Sequence, residues 1–161
     1  MNFLRFLMLA ALAVWLGALV FFPVTAATAI SALPTSHMAG LVVRGSLLKL
    51  HVMGFICGTI FLGCSLIDSR VMLGRIKVFA SSHILIVLML ALTAISQFRI
   101  IPRMDALQAE AGEINLLEPA DPIRLEFDAL HAWSTRVEGG VLLIGIVLLY
   151  LTSRRLAATR P

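Results

Sequence analysis

Four long stretches of the chain carry no charged residue. They run over residues 6–35, 50–67, 78–98 and 139–153. A bilayer core about 30 Å thick is crossed by roughly 20 mostly apolar residues in helical form. The first three stretches reach or approach that length as they stand. The fourth reaches it by running backwards through Val137 and Trp133, with Glu138 taken into the span. The pattern predicts an all-α, polytopic membrane protein: a single four-transmembrane-helix bundle over residues 1–161. Its spans fall at about 6–33, 45–67, 76–98 and 130–153, and its one sizeable extramembrane segment is a long third loop, about 99–129.

Local signals refine these elements. Pro23 lies inside the first run and predicts a kink there. Arg5 and the Ala27-Thr28-Ala29 triplet imitate a secretory signal. The run is about twice a signal's apolar length, so it is read as a retained helix. In the third loop, Met104, Leu107, Ala111 and Ile114 recur at helical spacing, which predicts a short amphipathic helix from Met104 to Leu117. Glu118-Pro119 ends it. Asp121-Pro122 starts the next helix, with Asp as the cap and Pro in the first helical position. The fourth helix therefore begins near Pro122 and projects beyond the membrane.

Composition narrows the class of function. The chain is 60% hydrophobic and 14% charged, against about 45–50% and about 25% in a soluble domain. That balance excludes a soluble enzyme and a disordered chain. No G-x-S-x-G, H-E-x-x-H, phosphate loop or dinucleotide fingerprint is present, so no enzymatic activity is expected. Two cysteines make no disulfide framework. The net charge of +4 marks topology rather than nucleic-acid binding. Arg70, Arg75 and Lys77 crowd the short second loop, while most of the opposing basic residues sit in the long third loop and its helical continuation. The short basic loop favours both termini inside. Seven of the nine acids also lie in the third loop, which an accessory subunit would use for docking.

Ionisable residues within membrane helices are costly and mark candidate sites. Arg124, Asp128, His131, Thr135 and Glu138 form one stripe down the fourth helix. Arg44 and His51 share a face of the second helix, continued by Gly54 and Gly58 as a pair that admits close helix packing. With the two helices side by side, His51 and His131 reach similar depth, with Arg44 and Glu138 as charge partners and Gln97 within reach. Two imidazoles from two helices suit the axial ligands of a b-type haem or part of a copper or zinc site. Gly54 and Gly58 would supply the flat cavity that haem requires. His83 lies near the other end of the bundle, where it would ligate a separate tetrapyrrole or bond a neighbouring helix. Cys57 and Cys64 are read as packing residues. Trp15, Phe21, Phe22 and Trp133 are read as packing or interfacial aromatics.

Several short motifs resemble a bacterial membrane family related to eukaryotic transmembrane protein 205. They are Val14-Trp15-Leu16-Gly17 with Phe21-Phe22-Pro23, Gly40 to His51, Asn115 to Pro119, and Leu130-His131 to Ser134. The resemblance implies a four-helix membrane domain without an established activity, distantly similar to copper-resistance D proteins. It implies the bacterial inner membrane as location and adds weight to metal handling. The chain lacks the Met-rich pairs of a copper(I) conduit.

The expectation is thus a non-enzymatic membrane protein that holds a metal or tetrapyrrole between helices two and four near the outer leaflet. His51 and His131 would be the ligands, with Arg44, Asp128, Gln97 and Glu138 around them. One alternative is a small accessory subunit of a respiratory or photosynthetic complex. Another is a metal transport or tolerance protein. The bilayer and a second copy of the chain are further expected partners.

Overall fold

The computed structural model describes residues 2–73 and 81–158. Helix α1 spans Asn2–Ala32, α2 Ser36–Leu73 and α3 Ser81–Ile95. A π-helical turn, Ser96–Ile100, joins α3 directly to α4, Ile101–Ala111. A 3-10 turn at Ile114–Leu116 precedes α5, Pro122–Ala158. Four helical stretches are long and apolar enough to cross a membrane: Phe3–Ala32, Ser36–Val71, Ser81–Ala111 and Pro122–Arg155. The basic residues Arg75, Lys77 and Arg160, and the expected start of the third span, lie outside the described residues.

The helices run alternately up and down. Each packs on two neighbours in the cyclic order α1, α2, α3, α5. The bundle thus has a terminus end, where α1 begins and α5 finishes, and a loop end, where α3 passes into α4.

Boundary chemistry explains where the helices start and stop. Thr35 caps α2: its hydroxyl accepts a hydrogen bond from the Met38 N–H at 3.2 Å. The helix therefore begins well before residue 45, because its backbone bonds continue past the apolar segment. Asp121 caps α5 as expected and accepts from the Ile123 N–H at 2.8 Å. The third-loop helix differs from its expected range. It starts at Ile101 as a continuation of α3 and ends at Gly112, whose φ of 71° is a conformation that glycine adopts without strain. The π turn has a cause in Pro102. Proline lacks an N–H and its ring presses on the carbonyl four residues back. The widened turn, closed by the Ile101 N–H on the Ser96 carbonyl, relieves that crowding.

The interior is held by shape. Trp15 is 1% exposed. Its indole fills the notch left by Gly54, where a Cβ would stand 2.7 Å from the ring. A Cβ on Gly58 would meet Leu90 at 2.6 Å and Trp15 at 3.0 Å. Gly145 of α5 admits Leu16 in the same way. Lipid tails are as apolar as leucine, so close packing of this kind holds membrane helices together where water would not. The outer surface is correspondingly apolar: Val20, Phe21, Ile56, Val87, Leu143 and Ile146 are all at least half exposed.

Candidate functional site

Two sets of polar side chains are buried inside the bundle, one near each end. At the loop end, His51 of α2 is 1% exposed. Its Nδ1 lies 2.8 Å from Gln97 Oε1, in the π turn. Its Nε2 lies 2.7 Å from Glu138 Oε1, on α5. One imidazole thus joins three elements. Among the described residues, the buried Ser96 hydroxyl beside Gln97 has no hydrogen-bond partner.

Glu138 also forms part of the wall of a cavity of about 670 Å³, within the range of small-molecule sites. One side of the cavity is α1, through Leu19, Phe22, Pro23, Ala26 and Ile30. The rest of the wall mixes apolar side chains such as Val43, Leu47, Met104 and Leu142 with polar ones: His37 and Arg44 of α2, Asp105 and Gln108 of α4, and His131 and Glu138 of α5. The folded-back loop covers it. Arg44 makes a bidentate salt bridge to Asp105. Gln108 Nε2 lies 3.0 Å from His37 Nδ1. Arg103 grips Glu126 of α5 through two hydrogen bonds of 2.6 and 2.7 Å. Arg124 donates to the Leu117 carbonyl at 2.8 Å.

These contacts revise several expectations. Arg44 was expected to partner Glu138, but it pairs with Asp105, because α4 continues from α3 and comes within reach of α2. Glu138 pairs with His51 instead. Gln97 does join this cluster. His131 lies on the cavity wall but is exposed, and no hydrogen bond ties its ring to His51 among the described residues. Asp128 pairs loosely with Arg124 at 4.0 Å, in keeping with the stripe on α5.

The geometry does not suit a metal on His51 and His131. Both ring nitrogens of His51 are already hydrogen-bonded. The glycine notch meant for a flat ring is filled by Trp15 and Leu90. Among the described residues, no group of three or more His, Cys, Asp and Glu side chains is placed to hold a metal ion. Cys57 is buried in the apolar core, as expected of a packing residue.

At the terminus end, Arg5 of α1 donates to Asp68 of α2 at 3.2 Å, and both are largely buried. His83 of α3 is 3% exposed, with Nε2 2.9 Å from Ser65 Oγ. This is the helix-to-helix bond that was one of its two expected roles. Arg155 of α5 reaches Ser69 at 3.4 Å. None of these residues lines the cavity.

The fold is that of a helical, multi-pass membrane protein, with a cavity at the loop end of the bundle. The chain belongs to the family described as Domain of unknown function (DUF4149), whose model matches residues 10–113. The matched segment contains Arg44, His51, Gln97 and Asp105, whereas His131 and Glu138 lie beyond it. No curated protein and no solved structure matches the chain.

Proposed function

We propose that the protein is a non-enzymatic membrane receptor or carrier for a small amphipathic molecule, bound in the loop-end cavity. The observation that carries this reading is a mostly apolar cavity wall that carries a few polar groups. Leu19, Phe22, Val43, Leu47 and Leu142 offer an apolar surface to a hydrophobic body, and Arg44, His131 and Glu138 offer hydrogen-bonding groups to a polar head. The basic second loop supports termini facing the cytoplasm, which puts the chamber in the outer half of a bacterial inner membrane. The resemblance to copper-resistance D proteins favours a metal cargo, but the occupied nitrogens of His51 favour an organic one.

The test uses the full chain extracted in mild detergent, followed by mass spectrometry of whatever co-purifies. A reproducible amphiphile is expected. It should be lost in Gly40→Trp and Gly139→Trp, both on the cavity wall, where a new side chain meets open space rather than backbone. A wild-type chain free of any amphiphile would overturn the reading. So would equal retention of the amphiphile by both tryptophan variants.

A further inference from the structure

We infer that the cavity takes a lipid from the leaflet at the loop end of the bundle, admits it sideways between α1 and α5, and holds it raised above the hydrocarbon. The inference rests on the reading of the cavity as an amphiphile site and adds the source of its occupant.

Charged residues on the outside of the bundle fix its depth in the bilayer. Lys49 of α2, Arg99 of the π turn and Arg136 of α5 are all exposed. Each stands two residues to the loop-end side of a member of the buried network: His51, Gln97 and Glu138 respectively. Hydrogen bonds hold those three side by side, so the three cations share one level. Exposed Arg70 of α2 and Arg154 of α5 mark the other level. At about 1.5 Å per residue, the levels are about 31 Å apart along α2 and about 27 Å apart along α5. A hydrocarbon core is about 30 Å thick. An exposed aromatic ring lies at each level of α5. The Arg136 guanidinium stands 5.5 Å from the Trp133 ring, and that of Arg154 stands 5.7 Å from Tyr150. Such rings belong at membrane–water interfaces.

The cavity straddles the loop-end level. Its wall begins at Leu142, one turn to the hydrocarbon side of Glu138, and reaches Phe127, about 16 Å beyond Glu138. The headgroup layer is about 5–8 Å deep, so the cavity rises through it. At this height α2, α4 and α5 carry charged side chains, whereas α1 has none from Phe6 to Ala32. Trp15 fits the Gly54 notch, so α1 crosses the level near Val20 and its last turns stand beyond the hydrocarbon. Their hydroxyls turn back on the helix: Thr25, Thr28 and Ser31 each donate to a carbonyl of α1 itself. The end of α1 is thus an apolar rail in a layer where its neighbours are polar. A lipid chain drawn up from the adjoining leaflet is the occupant that such a rail suits.

The way in is at the side. Helix α4 roofs the cavity and is tied down on both flanks, to α5 by Arg103 on Glu126 and to α2 by Gln108 on His37. Leu16 of α1 fits Gly145 of α5 just below the cavity. Above that contact, no hydrogen bond or ion pair joins α1 to α5 among the described residues. Pro23 and Ala27 of α1 and Thr135 and Gly139 of α5 line the cavity and are exposed. The opening starts at the hydrocarbon boundary, where a lipid reaches it without crossing water.

The test reconstitutes the full chain in vesicles of phosphatidylethanolamine and phosphatidylglycerol, both isotope-labelled. The chain is then extracted in mild detergent and the label that stays with it is measured. Ala27→Cys with Thr135→Cys, bridged before reconstitution by a bifunctional methanethiosulfonate, closes the side. Arg103→Cys with Glu126→Cys, bridged likewise, pins the roof. Both pairs are made with Cys57→Ala and Cys64→Ala, so that only the new thiols react. Label is expected on the native chain and on the roof-bridged chain. It is expected to be lost from the side-bridged chain and regained when a reductant opens the bridge before reconstitution. Label kept by the side-bridged chain, or lost from the roof-bridged chain, would overturn the inference. A second reading needs no cysteine. The emission that Trp133→Phe removes is expected to be quenched more by a lipid spin-labelled at its headgroup than by one labelled at its chain end, and the reverse order would refute the depth assigned here. A native chain that carries another amphiphile but no labelled lipid would refute this inference and leave the cavity reading standing. A native chain that carries no amphiphile at all would end both.

Discussion

The two polar ends of the bundle use similar residues for different ends. At the terminus end, Arg5 faces Asp68, His83 faces Ser65 and Arg155 faces Ser69. These contacts tie α1, α3 and α5 to α2, and none of them opens on the cavity. At the loop end, His51 ties α2 to α5 and to the π turn, but its partner Glu138 also lines the chamber. The difference shows what to look for in a membrane interior. A buried polar group whose partners are all protein atoms stitches helices together. A buried polar chain that reaches a cavity wall is available to a ligand.

Four substitutions break or sharpen that contrast. Asp68→Ala leaves Arg5 without its carboxylate inside the bundle. Removing one partner of a buried ion pair costs about 3–5 kcal/mol, so a large loss of thermal stability in detergent is expected. Ligand retention by the surviving folded fraction is expected to be unchanged. Loss of the ligand at full stability would show that the two ends are not separate devices. Gly54→Val drives a side chain into the Trp15 indole between the two ends. Overpacking of this kind costs about 1–3 kcal/mol. A thermal melt reads it, and Gly17→Ala, where the new Cβ meets open space, is the matched control.

Gln97→Leu removes the partner of His51 Nδ1. An unsatisfied buried polar group costs about 1–3 kcal/mol. Here the stability loss should come with weaker ligand retention, because His51 holds Glu138 at the cavity wall. A stability loss with unchanged ligand retention would reduce the loop-end network to a stitch like the other. Ser65→Ala has the smallest effect. Losing the bond to His83 costs about 1 kcal/mol in a melt, with ligand binding as in the native chain.

Much of the architecture was legible in the chain. The four uncharged runs become four long helices because lipid leaves backbone groups no partners except those within the helix. Asp121-Pro122 marks the start of α5 because a capping carboxylate and a proline both act on the chain's nearest neighbours. The stripe on α5 holds for the same reason, since helical spacing alone sets which residues share a face. Gly112 was the missed local signal: it stops α4 before Ile114, where apolar spacing alone would have carried the helix on.

The site was legible only in part. His51, Gln97 and Glu138 stood out as costly residues at compatible depths, but their pairing did not follow from depth. Arg44 was assigned to Glu138 because both looked unpaired along their own helices. Nothing local shows that Pro102 is met by a π turn, that α3 therefore runs on as α4, and that Asp105 arrives beside Arg44. Arg5 and Asp68 were passed over for a related reason. Each looked like a charge closing a span, and only antiparallel packing of α1 on α2 brings them together across 63 residues.

By itself, then, the sequence determined a multi-pass helical membrane protein, the Asp121 cap of α5, and which residues are too polar to face lipid. Those outcomes depend on hydropathy and on bonds between neighbours in the chain. The tertiary structure decided which polar groups satisfy one another, that Trp15 fills the glycine notch, and that a chamber remains between α1 and α5. Such outcomes depend on how the helices rotate and lean against each other, and contacts distant in the chain settle that together.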